Sequence, residues 1–320
     1  MGKKLNFRNF CFVGLGKHST NNLIPNLKKA NKKIVGYVTR TPKINNRSYK
    51  RYKNIDLALK KIPKKTNFVI ASPPETHFDL LKKLVKKKSI IYCEKPIFVN
   101  HQEAKNFIKS SRKNNSFVIE LFMYKYTDLF KKFSRIIKSY DNLLNINCKF
   151  LVPSYPKNTF RNSVNLRSSC LYDIGSYIID LFTELDFNLH NFEIVDFLMD
   201  DGYLKKLSFK FNVNNISCFS EIGLDKKYKN EVTLKTKDEN EISLSPFFFG
   251  REGPRKIKCN KKETFLYEKN SFEKIFRLKL YGKFNRIKTL NKMQMSIKYL
   301  DELADLLQKE IIKSGTTQKV

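Results

Sequence analysis

Asn9-Phe10-Cys11-Phe12-Val13-Gly14-Leu15-Gly16-Lys17-His18-Ser19 decides the fold. An apolar run ends in a glycine turn, and residues 19–31 then carry Leu23, Ile24, Leu27 and Ala30 at helical spacing. In this strand–turn–helix, Gly14 permits the tight turn and Gly16 lets backbone N–H groups of the turn, with Lys17 and His18, approach a pyrophosphate at the helix start. Ser19 holds the third position of the fingerprint, where Gly or Ala is usual, and is small enough for helix–strand packing. Such a turn alone is weak evidence, and its place directly after the first strand strengthens it.

Working outward, strand and helix patterns alternate up to residue 121. Ile34 to Thr39, Asn67 to Ala71, Ser89 to Cys93 and Ser116 to Leu121 read as strands, with helices after His77 and over residues 101–114. Thr76, with Asp79 three residues on, has the form of a helix cap. This alternation predicts an α/β domain with a doubly wound parallel sheet over residues 1–121. Beyond it, helical segments over 126–139 and 170–184 give way to extended segments over 191–245. There Leu207, Phe209, Phe211 and Val213 alternate with polar residues, the mark of a sheet with one buried face. A closing helix over 291–312 turns Met295, Ile297, Leu300, Leu303 and Leu307 inward. Residues 122–320 are therefore expected to form an α+β domain with an open, mainly antiparallel sheet.

Composition removes several classes of function. The 320 residues are 41% hydrophobic, enough for two buried cores. No apolar run approaches the roughly 18 residues of a membrane span. The basic start Met1-Gly2-Lys3-Lys4 lacks a signal-peptide core. Six scattered cysteines without a CxxC pair imply reduced thiols in the cytoplasm and no metal site. The net charge of +33 raises a nucleic-acid reading. The lysines, however, run from Lys3 to Lys319 mostly as solvated helix faces, with no interleaved aromatic platform. No specific nucleic-acid partner is expected, although a positive field favours anionic small molecules.

Four further segments carry chemistry. Val38-Thr39-Arg40 ends the second strand, and no Asp or Glu lies between Leu5 and Asp56. An acid there would hold the ribose of NAD, whereas Arg with a small hydroxyl residue favours NADP, so NADP(H) is preferred and NAD(H) possible. Ser72-Pro73-Pro74-Glu75-Thr76-His77 follows the next strand and stiffens its end, with His77 in the first helical turn near the cofactor. Glu94-Lys95-Pro96 follows the strand after that, at the same sheet edge, where a lysine can orient a substrate hydroxyl or carbonyl. In Cys170-Leu171-Tyr172-Asp173-Ile174-Gly175-Ser176-Tyr177-Ile178-Ile179-Asp180, helical spacing puts Asp173, Tyr177 and Asp180 on one face. An ordinary polar stripe is the alternative.

Taken in order, these motifs resemble the Gfo/Idh/MocA family of glucose–fructose oxidoreductases and inositol dehydrogenases, most densely over residues 9–126 and 168–182. The resemblance implies a Rossmann domain and maps the family's EKP lysine onto Lys95 and its DxGxH/Y helix onto Asp173, Gly175 and Tyr177. With Tyr in the last place the chain is similar to members that use a tyrosine acid, sugar-nucleotide ketoreductases among them. Tyr228-Lys229-Asn230-Glu231-Val232 and Phe247-Phe248-Phe249 are similar to the ketoreductase sheet region. The chain departs from the family at Ser168-Ser169-Cys170, where a glycine triplet is usual, and at Lys125, where Arg is usual.

What the resemblance implies is an NAD(P)-dependent oxidoreductase acting on the carbonyl or carbinol carbon of a sugar or sugar nucleotide. Lys95, Tyr177 and Asp173 are the expected catalytic set, with Lys95 polarising the oxygen or lowering the tyrosine pKa and Tyr177 giving the proton. Cofactor contacts fall to Gly14, Gly16, Lys17, His18, Ser19, Thr39, Arg40, Ser72, Pro73, Pro74, His77, Glu94 and Lys95. Substrate contacts fall to Lys95, Tyr124, Arg161, Asp173 and Tyr177. The open sheet face implies a homo-oligomer, dimer or tetramer. A catalytically silent dinucleotide-binding regulator and a polyanion-binding protein are the alternatives.

Overall fold

The computed structural model describes residues 8–40, 49–114, 116–139, 142–154, 165–225, 227–278 and 285–315. The chain divides into two compact units, Met1–Phe122 with Phe272–Gln294, and Met123–Ser271 with Met295–Val320. Among the described residues no helix is long and apolar enough to cross a membrane.

The first unit is built on six parallel strands: β1 (Asn9–Val13), β2 (Lys33–Val38), β3 (Arg51–Tyr52), β4 (Thr66–Ile70), β5 (Ile90–Cys93) and β6 (Phe117–Glu120). Their order is β3-β2-β1-β4-β5-β6. Every residue of β4 and β5 is buried, as a strand covered on both faces requires. The connecting helices are α1 (Ile24–Lys29), α2 (Ile55–Lys61), α3 (His77–Leu84) and α4 (His101–Ser111). α2, which periodicity does not announce, starts where the Asn54 side chain accepts the Leu57 N–H at 2.9 Å. α1 is entered through a widened i→i+5 turn, Ser19–Leu23. After β3 the chain crosses to the other side of β1, so the carboxyl ends of β1 and β4 flank the switch point where open α/β sheets bind ligands. The segment that returns to this unit brings Phe276 to within 5.8 Å of the Phe10 ring and 5.3 Å of Tyr92.

The second unit carries an eight-stranded sheet: β7 (Leu143–Val152), β8 (Leu189–Asp200), β9 (Tyr203–Val213), β10 (Ile216–Leu224), β11 (Lys229–Thr236), β12 (Glu241–Ser245), β13 (Gly253–Cys259) and β14 (Lys262–Glu268). The order is β14-β13-β12-β11-β7-β10-β9-β8, antiparallel except where β10 meets β7. The expected alternation along β9 is present, with Leu207, Phe209, Phe211 and Val213 fully buried. α5 (Asp128–Ser139) and α6 (Ser176–Glu184) complete the unit with the latter part of a long closing helix, Arg286–Lys313. Leu300, Leu303 and Leu307 of that helix point inward as expected, whereas Met295 is only half-buried. The carboxylate of Glu268, fully buried at the end of β14, accepts the Leu129 N–H at 2.7 Å and so caps α5 across 139 residues of sequence.

Five cysteines are buried and Cys259 is exposed. Burial pushes the Cys11 thiol up to about 12 and raises those of Cys93, Cys148, Cys170 and Cys218 as well.

Candidate functional site

Three of the sequence motifs meet at one edge of the first unit's sheet, because β1, β4 and β5 are neighbours and each motif is the turn that follows its strand. Main-chain bonds extend the sheet into these turns: Gly14 N to Val38 O at 3.0 Å, Ala71 N to Val13 O at 2.8 Å, and Glu94 N to Ile70 O at 2.9 Å. Gly14 sits at φ +91°, and a Cβ there would come within 2.7 Å of the Ala71 carbonyl and the Ser72 nitrogen. Ser19 is buried and its hydroxyl donates to Gly14 O at 3.1 Å, closing the turn with a bond that Gly or Ala could not make.

A nicotinamide dinucleotide suits this edge. A Cβ on Gly16 would meet nothing within 4 Å, so the space above the turn is open and no packing inside the protein demands a glycine there. Lys17 and His18 are exposed beside it. The His18 Nε2 lies 3.0 Å from Glu94 Oε1, linking the glycine turn to the turn that carries Lys95. Lys95 is half-buried, and the Lys95–Pro96 peptide is cis. Thr39 and Arg40 lie where β2 ends, Arg40 exposed. Arg51, which sequence reasoning passed over, reaches the same strand end: its Nη2 donates to Arg40 O at 3.3 Å.

Two expectations for the turn after β4 change. Thr76 makes no side-chain cap; its hydroxyl donates to Pro73 O at 2.7 Å and accepts from Ser72 Oγ at 2.6 Å, so it braces the Ser72-Pro73-Pro74 turn. His77 is fully buried rather than open to a cofactor. Its Nε2 faces Ser72 O at 2.9 Å and its Nδ1 faces Pro96 O at 3.0 Å, so the ring ties the β4 turn to the β5 turn. Burial lowers its pKa, opposed by the two carbonyls and by Glu94 and Glu75. The neutral ring has one N–H to share between two acceptors.

The second unit holds the other motif. Leu171–Gly175 forms a second i→i+5 turn before α6, so the placement of Asp173 relative to Tyr177 does not follow the regular 3.6-residue period that the sequence suggested. Gly175 allows the sheet close: a Cβ there would lie 2.9 Å from Ile222 Cδ1 of β10. From Ser169 through Thr183 every residue except Tyr177 is buried, Asp173 included. The Tyr177 ring stands among Phe150 at 5.3 Å, Phe248 at 5.8 Å and Tyr124 at 6.1 Å. Asn230 holds Phe248 in place, its Oδ1 accepting the Phe247 and Phe248 N–H groups at 3.0 and 2.7 Å. Spacing in the sequence gave no sign of these aromatic walls.

Tyr124, expected from the sequence at the substrate, is turned toward the protein interior. It is fully buried, and its hydroxyl donates to Asp180 Oδ2 at 2.5 Å. The other Asp180 oxygen pairs with Lys125 Nζ at 2.7 Å, which also pairs with Glu184 at 3.0 Å. Asp180, grouped by spacing with Tyr177, is thus part of the packing behind it. Burial pushes its carboxyl up to about 6, against the downward pull of Lys125. Burial, reinforced by Asp180, raises the Tyr124 hydroxyl. Nearer the loop before α6, Tyr172 and Arg167 both bond Asp301 of the closing helix. Arg161 lies outside the described residues.

Residues 8–122 match the sequence model of the Gfo/Idh/MocA oxidoreductases, described as an oxidoreductase family with an NAD-binding Rossmann fold. Over this segment, which is less than half of the chain, the sequence is similar to the NAD-binding domain of that family. In fold, 94% of the chain superposes on 98% of KijD10 from Actinomadura kijaniata, a 3-ketoreductase in complex with NADP and TDP-benzene, at 13% identity and a TM-score of 0.79. It covers the same shares of an aldose-aldose oxidoreductase from Caulobacter crescentus at 10% identity and a TM-score of 0.77. A dehydrogenase from Chromobacterium violaceum is 14% identical, with 96% of this chain and 98% of that one covered and a TM-score of 0.75. No curated protein matches.

The two glycines of the first turn should separate folding from binding. Gly14→Ala is expected to destabilise the protein by about 1–3 kcal/mol in thermal melting. Gly16→Ala should leave melting within about 0.5 kcal/mol of wild type yet weaken dinucleotide binding about tenfold. For the buried ion pair, Lys125→Met is expected to cost about 3 kcal/mol. Because the Asp180 pKa is raised above its unfolded value, the folded state binds the extra proton more readily, and stability falls as pH rises through about 6. Without Lys125 that pKa rises further, so the melting deficit should be larger at pH 8 than at pH 5.

Proposed function

We propose that the protein is an NADP-preferring oxidoreductase that interconverts carbonyl and hydroxyl at one carbon of a sugar or sugar nucleotide. The observation that carries the reading is Tyr177: a single half-exposed phenol in an otherwise buried segment, walled by aromatic rings, on the DxGxY helix. When bound, the nicotinamide supplies the hydride to the carbonyl carbon or takes it from the carbinol. Tyr177 exchanges the proton with the substrate oxygen, and Phe150 and Phe248 fix the direction of its hydroxyl. Lys95 polarises that oxygen or steadies the tyrosinate. Asp173, buried on the segment that leads into α6, orients the substrate. Tyr124 supports Tyr177 from behind.

The NADP preference rests on the end of β2. Thr39, Arg40 and the nearby guanidinium of Arg51 offer hydroxyl and positive charge to a 2′-phosphate, with no carboxylate from Leu5 to Asp56 to repel it. The positive charge of the chain favours an anionic substrate such as a nucleotide sugar. The reading also takes the protein as cytoplasmic, in keeping with its free thiols, and as a homo-oligomer. The exposed Val195 and Leu198 of β8 are the kind of surface that self-association covers.

Thermal melting with NADPH, NADH and duplex DNA is the direct test of the cofactor. At about 100 times its dissociation constant a ligand adds roughly 2.7 kcal/mol, and NADPH should outshift both others, with the margin over NADH lost in Arg40→Ala. Equal shifts from all three would reduce the site to general charge. For the chemistry, Tyr177→Phe and Lys95→Ala should each lower kcat by about 10²–10⁴ while NADPH binding to Tyr177→Phe stays at the wild-type level. Unchanged turnover in both variants would overturn the assignment.

A further inference from the structure

His18 stands out among the residues of the glycine turn because its ring is held on three sides although its side chain is 48% exposed. Nε2 lies 3.0 Å from Glu94 Oε1, Nδ1 lies 3.3 Å from Asn22 Nδ2, and the ring centroid lies 5.4 Å from that of Phe272. The contacts fit one tautomer of the neutral ring. An amide nitrogen only donates, so Nδ1 must accept from Asn22, and the single ring proton then sits on Nε2 and is given to the carboxylate. Asn22 is itself on the widened turn Ser19–Leu23, one helical turn from His18, and its backbone oxygen accepts from the Asn26 side chain at 2.8 Å. A second proton on the ring would set N–H against N–H at Asn22.

We infer that His18 is a positioning residue: as a neutral Nε2–H imidazole it latches the glycine turn to Glu94 and thereby fixes the turn that carries Lys95. The inference rests on the dinucleotide and lysine roles proposed above. A hydrogen bond from a neutral donor to an ionised carboxylate is stronger than one between neutral groups and leaves the Glu94 charge in place. Glu94 itself and the chain neighbours Lys17 and Lys95 are the charged groups adjacent to the latch in sequence, and the Phe272 ring packs against the imidazole. A residue that only filled space in this half-exposed place would need neither the distant carboxylate nor the amide that selects the tautomer. The latch differs from the His77 tie in that it spans the open side of the edge, next to Gly16, and not the buried side.

The test has two arms. The chain has four histidines, so ¹⁵N NMR of the imidazoles resolves His18 directly. At neutral pH it should show a protonated Nε2 and a bare Nδ1, and Asn22→Ala or Glu94→Ala should convert this to an exchanging mixture of tautomers. An Nδ1-protonated or freely exchanging His18 in the wild-type protein overturns the latch, whatever the enzyme's substrate. In the second arm, His18→Ala should lower kcat by roughly ten- to a hundredfold through misplacement of the lysine turn, and weaken NADPH binding, without lowering the melting temperature in proportion. His18→Gln, whose amide can still donate to Glu94, should recover most of both. The double variant His18→Ala/Glu94→Ala should be no worse than the poorer single one, because the two act as a unit. Losses that multiply, or a Gln variant no better than Ala, refute the inference. Should wild type itself turn over no sugar or sugar nucleotide, the enzyme reading fails while the tautomer and the NADPH dissociation constants still decide the latch.

Discussion

The ladder of main-chain hydrogen bonds that runs past the ends of β1, β4 and β5 is what the first unit's chemistry depends on. Strand pairing does not stop where the side chains cease to be apolar. Val13 O still receives Ala71 N, Ile70 O receives Glu94 N, and Cys93 O receives Leu121 N. Each motif turn is therefore fixed to the next by backbone, and the tolerance is too small for any side chain at Gly14. Function at this edge needs only what the turns display, since their relative placement is settled by the sheet. The side-chain ties through His18 and His77 add a second set of constraints to the same turns, one on the open side and one buried.

The second unit solves a different problem. Tyr177 is partly open to solvent yet held in direction. The helix under it accordingly turns every neighbour inward, and three aromatic rings hold the phenol from the sides. Behind them lies a carboxylate, Asp180, that burial alone would drive to the neutral form. Lys125 and the Tyr124 hydroxyl keep it bonded on both oxygens, so the polar group is satisfied and the aromatic wall has a rigid back. The cation that holds Asp180 is Lys125. It makes point contacts with two carboxylates, for which an ammonium on a flexible stem is suited.

Much of the fold was legible because its signals are local. β1 falls on the residues that the apolar run and glycine turn mark out, and the period-2 pattern of β9 is realised residue by residue. What was not legible depends on partners distant in sequence. Nothing near Thr76 says that its hydroxyl will brace Pro73 instead of capping α3. Nothing near Glu268 says that it will cap α5. Tyr124 reads as an accessible ring until Asp180, 56 residues on, takes its hydroxyl. Helical spacing put Asp173 with Tyr177, but a regular 3.6-residue period cannot anticipate an i→i+5 turn at Leu171–Gly175. The same kind of turn precedes α1, so both segments assigned to function enter their helices through an irregular first turn, where such widened turns often occur.

The distribution of the thiols has a practical side. Five are shut inside the two units with their ionisation suppressed, and Cys259, at the end of β13, faces solvent. Unaltered, the chain thus carries a single chemical handle, open to a maleimide dye or spin label. The same residue lets two copies couple through a disulfide on standing in air, a covalent pair that must be reduced before any natural assembly of subunits is weighed in solution.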